Sequence, residues 1–340
     1  MADIKRRDLA RGIAAAGAAM ALGATSYPLR ASMTGSVENT PVILEVAISG
    51  SNSKARNLQV PETVEEHIAE MDACFKAGAT IVHTHSNQPN KDVDKAVEFY
   101  RNTYKPVREM HPYGIIYATA NFAPQLYNKM RAVWPAEVQC GHHEILAREG
   151  LANMVLLDTG VVALGGYDDK GVPSDKGFFW YGFWPDDTRF ILDVCRRYGP
   201  GTSISVFEPG WMKNVVAMAK GGTLPRGSKL NIYFGGEGIS SLAPPIPEAL
   251  ELYLKMMEGL DLKWSVGNVG NVSIMDTPLA QMALERGGSF RVGLEDWATG
   301  PGNLEQMARA REMINRVGRP VVTGKEAIEY LDIPFPPTRP

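Results

Sequence analysis

Eight times between Val42 and Val317 a short apolar run is followed by a longer amphipathic stretch. The runs fall at 42–48, 79–85, 114–119, 153–158, 203–207, 229–234, 263–266 and 289–293. The stretches fall near 63–76, 92–110, 136–148, 187–197, 212–220, 246–258, 277–286 and 303–317. Near-continuous apolar strands alternating with helices imply a parallel sheet covered on both faces. Thr63 followed by Glu66 supplies a capping box for the first helix. Eight units over roughly 290 residues are what a (β/α)8 barrel needs, so the expected fold class is α/β, one barrel domain. An open doubly wound sheet competes, but it usually carries a Gly-rich turn after its first strand, and Gly50 stands alone there.

One loop breaks the rhythm. Gly165 to Asp187 is expected to lack structure of its own and includes Phe178-Phe179-Trp180-Tyr181-Gly182-Phe183-Trp184. So many aromatics are costly to leave in water, which leaves two readings: an interface between copies (dimer or tetramer), or a lid over the barrel mouth.

Met1–Gly12 carries Lys5, Arg6, Arg7 and Arg11, and an apolar run rich in small residues follows to Ala24. A basic start, a short apolar run and small residues after it describe a secretory signal. Arg6-Arg7 resembles the twin-arginine export type. Residues 1–32 are therefore expected to be a signal segment and 33–40 a linker. The barrel with its C-terminal extension is then expected over 41–331 and a tail over 332–340. The expected location is periplasmic, with the cytoplasm as alternative if the signal is not used. A net charge of -3 and a pI near 6.1 give no electrostatic case for nucleic acid or an anionic membrane. Cys74, Cys140 and Cys195 show no metal-binding spacing and form no disulfide framework.

In a barrel of this kind chemistry sits at the C-terminal ends of the strands. The second run, Ala79–His85, ends in His83 and His85, which a strand projects to one side about 7 Å apart. Such a pair is half of a metal site, or else a hydrogen-bonded core pair. The eighth run continues as Arg291-Val292-Gly293-Leu294-Glu295-Asp296. Alternation puts Arg291, Gly293 and Glu295 on one face, with Gly293 leaving open space between the charges. A closed barrel places the eighth strand beside the first and the first beside the second, so Glu295 can meet His83 and His85. Two histidines and a carboxylate make a catalytic zinc arrangement, and such sites also hold Fe(II). Asp296, past the strand end, would face the cavity as a base, with Arg291 orienting it; alternatively the two form an ion pair closing the barrel. His142-His143 are sequence neighbours on a helix and point apart, a weak metal candidate.

The HTH strand end, the RVGLED segment and the order of the eight units resemble the β-keto acid cleavage enzymes. The resemblance spans roughly 41–331. It implies a zinc-dependent acyl exchange in which a β-keto acid and acetyl-CoA give acetoacetate and a new acyl-CoA. It implies His83, His85 and Glu295 as metal ligands, Asp296 as base, Arg291 as its partner, and Thr119 where the family has an assisting serine. Asn52, after Ser51, stands where members acting on an amino substrate carry a glutamate, so a cationic substrate is not expected. Ser51, Asn52 and Glu208 are taken as substrate-binding, and Lys54 and Arg56 as candidates for CoA phosphates, though solvated loop charges would look the same. Asn121-Phe122 replace the family's glycine pair and narrow that side of the pocket.

An export signal sits uneasily with a cytoplasmic thioester. Either the signal is unused or the acyl acceptor is different, for example water. A CoA-independent lyase or hydrolase acting on a keto acid is therefore the alternative function. A solute-binding protein would explain the signal but not the ligand set. Amidohydrolase-type barrels need further histidines on later strands, and none follows His143.

Overall fold

The structure, a computed structural model, describes residues 37–86, 93–120 and 135–334, apart from the side chains at 175–177. The expected signal segment, residues 33–36 of the linker, Asn121-Phe122 and residues 335–340 of the tail lie outside the described residues.

The eight expected units are all present. The barrel strands are β1 (Leu44–Ala47), β2 (Ile81–Thr84), β3 (Ile115–Ala118), β4 (Met154–Leu156), β7 (Gly201–Val206), β8 (Ser228–Gly235), β9 (Lys263–Val269) and β10 (Ser289–Val292). They form one parallel sheet in the order β3-β2-β1-β10-β9-β8-β7-β4. β1 therefore lies between the two strands that carry the candidate ligands. Ala47 pairs with His83, and Glu45 with Arg291. The seam between β3 and β4 is bridged by a side chain: Asn153 accepts from the Ile116 N–H at 3.0 Å and donates to the Gly114 carbonyl at 3.1 Å.

Each barrel strand is followed by its helix: α1 (Val64–Lys76), α2 (Val93–Met110), α3 (Ala136–Arg148), α4 (Pro185–Tyr198), α5 (Pro209–Lys220), α6 (Pro247–Met256), α7 (Pro278–Glu285) and α8 (Asn303–Val317). α1 starts where its capping box requires, with Thr63 and Glu66 satisfying each other's backbone N–H groups. Proline at the first turn of α4 to α7 needs no partner for its missing N–H and presets the helical φ. A short α9 (Gly324–Tyr330) follows. Arg319, buried just before it, donates to the carbonyls of Leu284 and Gly288, at 2.7 Å each, and of Thr40 at 2.8 Å, anchoring the C-terminal extension to the chain ahead of β1.

The segment between β4 and α4 corrects the expectation of an unstructured loop. It is an antiparallel hairpin, β5 (Val161–Tyr167) with β6 (Pro173–Gly182), pairing Leu164 with Phe179 and Val162 with Tyr181. Asp168 builds its turn by accepting the N–H groups of Lys170 and Val172, both at 2.9 Å. Alternation along β6 sends Phe179 and Tyr181 toward the barrel cavity, while Trp180 remains 40% exposed.

Candidate active site and metal centre

A cavity of about 540 Å³ opens at the C-terminal ends of the strands. His83, His85, Thr119, Arg291, Glu295 and Asp296 line it, together with Ser51, Asn52 and Arg56 of the loop after β1. Four aromatic side chains, Phe179, Tyr181, Phe207 and Tyr233, supply much of its apolar wall.

Both histidines point their Nε2 atoms at one oxygen, Oε2 of Glu295, at 3.2 Å from His83 and 3.3 Å from His85. Two atoms each bound about 2.0–2.1 Å from one tetrahedral ion lie about 3.3 Å apart. The donor set is therefore spaced for a small divalent cation. Tyr117 reinforces the point, because its carbonyl lies 3.3 Å from Nδ1 of His83 and can only accept. The ring hydrogen then sits on Nδ1, and Nε2 turns a lone pair toward a carboxylate. Oε2 closes no well-directed hydrogen bond of its own. Burial lowers the His83 pKa despite the pull of Glu295, so a proton is a poor substitute for a metal between these groups. Burial also opposes ionisation of Glu295, but the Arg291 guanidinium outweighs it and holds the carboxylate charged. These three residues are the one His/Cys/Asp/Glu group among the described residues whose ligand atoms converge this closely.

Glu295 does not reach the histidines by strand alternation. β10 ends at Val292, and the chain turns through Gly293, whose φ of +132° is open to glycine. A Cβ there would stand 2.2 Å from the Ala47 carbonyl oxygen. Gly293 thus allows close approach to β1 rather than leaving open space. The Glu295 N–H then donates to that same carbonyl at 3.1 Å, which sets its carboxylate beside the two histidines.

Arg291 grips Asp296 with two bonds, Nε to Oδ2 at 3.0 Å and Nη2 to Oδ1 at 2.5 Å, and also reaches Glu295 Oε1 at 2.9 Å. Burial raises the Asp296 pKa against the opposing pull of Arg291, leaving a carboxylate with an enhanced tendency to take a proton. Thr119 faces the cavity, its carbonyl held by Nε2 of His142 at 2.7 Å. His142 and His143 do not point apart as expected of helix neighbours: their rings lie 4.1 Å apart, tilted by 36°, but neither joins the His83, His85 and Glu295 group. Ser51 Oγ lies 3.5 Å from Nδ1 of His85. Two other candidates are not among the lining residues: Lys54 pairs with Glu66, and Glu208 occupies the N-cap position of α5 without a side-chain cap bond.

Sequence reasoning missed the support beneath the site. Glu45, wholly buried inside the barrel, pairs with Lys229 and accepts from Tyr117 Oη at 2.5 Å and from Asn231 at 3.2 Å. Tyr117 stacks on His83 with ring centroids 4.3 Å apart, and Tyr233 lies under the Arg291 guanidinium at 5.0 Å. A glutamate in the middle of the apolar run Val42–Ile48 was the available signal, because a buried charge requires a partner.

Comparison with known proteins bears on the same residues. The family model described as "beta-keto acid cleavage enzyme" matches residues 41–333. The chain is 26% identical over 304 residues to a 3-oxoadipate:acetyl-CoA acetyltransferase of Cupriavidus necator, covering 86% of this chain and 95% of the relative. It is 25% identical over 305 residues to a 3-keto-5-aminohexanoate cleavage enzyme of Fusobacterium nucleatum, covering 86% and 98%. Among solved structures, ObcA without ligand superposes with a TM-score of 0.56 at 14% identity, covering 81% of this chain and 66% of that one. That likeness supports the barrel fold alone.

Proposed function

Because the chain belongs to the beta-keto acid cleavage enzyme family, we propose that it exchanges acyl groups between a β-keto acid and acetyl-CoA, releasing acetoacetate and a new acyl-CoA. The carrying observation is that a metal-spaced His₂Glu trio and an Arg-held aspartate share one cavity. The printed activities of the curated relatives, an acetyl-CoA acetyltransferase and a keto acid cleavage enzyme, support the same reaction class.

His83, His85 and Glu295 are the ligands, and zinc is the ion this donor set suits. When bound, the ion supplies a Lewis acid that polarises the keto oxygen and acidifies the carbon between ketone and carboxylate. Asp296 takes the proton from that carbon, and Arg291 fixes its direction of approach. The resulting carbanion attacks the thioester carbonyl and expels the CoA thiolate. The thiolate adds to the original ketone, and the bond between C2 and C3 breaks. Acetoacetate leaves after its carbanion regains a proton from Asp296, and the new acyl-CoA carries the remainder. Thr119 offers a hydroxyl at the cavity wall, and the aromatic side chains beside it keep water from the carbanion.

A coupled assay of acetoacetate over a panel of β-keto acids, with and without acetyl-CoA, tests the proposal. It predicts acetoacetate only when both are present. The twin-arginine pair favours a second reading, in which an exported enzyme cleaves its keto acid without a thioester. Cleavage that is indifferent to acetyl-CoA would select that reading.

A further inference from the structure

The loop after β1 is pinned to the segment that carries Glu295 and Asp296. Asn57 donates its amide to the carbonyls of Ala298 at 2.9 Å and Gly300 at 2.8 Å. Asn52 donates its amide to the carbonyls of Leu294 at 2.8 Å and Ser49 at 3.2 Å. Carbonyl oxygens only accept, so the Asn52 side chain has one orientation, with Oδ1 turned outward. Oδ1 accepts from Nη1 of Arg56 at 3.2 Å. The asparagine is therefore a bracket that holds a guanidinium at the cavity rim.

The charge inventory of the cavity gives that bracket a purpose. The two acids lining it, Glu295 and Asp296, are both taken by Arg291. Lys54, in the same loop, is neutralised by Glu66. Arg56 has no carboxylate partner among the described residues, and it is an exposed residue of the cavity lining. The two guanidiniums and two carboxylates of the lining balance, so a divalent ion on the histidines would leave the cavity positive by the charge of that ion. A substrate carrying one carboxylate would offset only part of that excess.

We propose that Arg56, held by Asn52, binds a second anion remote from the reacting carbon. It is either a distal carboxylate on a dicarboxylic β-keto acid or a phosphate of the thioester co-substrate. This inference rests on the acyl-exchange reading and adds a chemical class of ligand to it. A planar fork of N–H donors suits either oxyanion, and the rim position suits a group that stays outside the apolar wall.

The test is Arg56→Gln, compared with the wild type on 3-oxopimelate and on 3-oxoheptanoate, which has the same chain length without the second carboxylate. If the anion is on the keto acid, the kcat/KM ratio of the dicarboxylic to the monocarboxylic substrate falls roughly 10- to 100-fold in the variant. If it is on the co-substrate, the ratio stays and KM for acetyl-CoA rises by a similar factor with both acids. Asn52→Ala, which frees the guanidinium without removing it, shifts the same parameter by less. A variant with neither change overturns the inference. Absence of acetoacetate from the wild type with every keto acid would instead defeat the acyl-exchange reading, so the two failures are distinguishable.

Discussion

Replacing Asp158 by asparagine improves the heat resistance of the barrel over that of the wild type by more at alkaline pH than at acid pH. Asp158 follows β4, lies wholly buried beneath the hairpin, and closes no well-directed hydrogen bond with either oxygen. Burial lifts its pKa from 3.8 to about 7, although the hydroxyls of Ser205 and Tyr181 and the Ser205 N–H favour the charged form. The folded chain therefore keeps a proton that the unfolded chain gives up as pH rises above about 4. Stability is lost progressively from there to about pH 7, and above it the full cost, about 4 kcal/mol on an order-of-magnitude basis, is present. Between pH 5 and pH 8 the increment is about 3 kcal/mol, and asparagine, which does not ionise, escapes it. Because any constant effect of the substitution cancels, the quantity to measure is the change in the Tm difference between variant and wild type. Calorimetry at pH 5 and pH 8, at matched ionic strength, is expected to show that difference moving by roughly 4–6 °C in favour of the variant. An unchanged difference, or one that turns against the variant at pH 8, would mean that Asp158 is ionised and well paired, refuting the argument.

Three further outcomes follow from the site. His83→Ala removes a ligand outright, and since loss of an outer partner alone costs 10- to 100-fold in metal affinity, a decrease beyond about 100-fold is expected. Equilibrium dialysis against zinc checks it, with circular dichroism showing the barrel intact. Asp296→Asn keeps the metal but slows proton abstraction by about 10²- to 10⁴-fold, read as exchange of the C2 hydrogen of the keto acid in D₂O; undiminished exchange would assign the base elsewhere. Gly293→Ala forces a Cβ to 2.2 Å from the Ala47 oxygen at a φ of +132°, so a loss of about 3 kcal/mol or more, with metal binding weakened alongside, is expected in denaturant titration.

The alternation of apolar runs and amphipathic stretches was enough to count the strands and helices of the barrel. Periodicity is set by which faces are buried, and all eight parallel strands here are buried on both. Adjacency of β10, β1 and β2 follows from closure, which is why Glu295 could be matched with His83 and His85 across distant stretches. The path by which Glu295 arrives was not legible from alternation, because the strand stops at Val292 and a turn takes over. The hairpin was misread although Asp168–Gly171 carries an ordinary turn signal, because Gly165-Gly166 and the aromatic cluster obscured the two-residue period. The Glu45–Lys229 pair joins residues that only the closed barrel brings together, so spacing along the chain could not reveal it. Lys54 and Arg56 look alike in sequence; only Glu66, folding back from α1, takes one and leaves the other at the cavity.

Anomalous diffraction at the zinc edge, from crystals of the full chain grown with zinc, tests the central claim most directly. One strong peak within bonding distance of Nε2 of His83, Nε2 of His85 and Oε2 of Glu295, with the Asp296 carboxylate free of it, is the result the account predicts. A peak at His142 and His143, or none where the three ligand atoms meet, would contradict it.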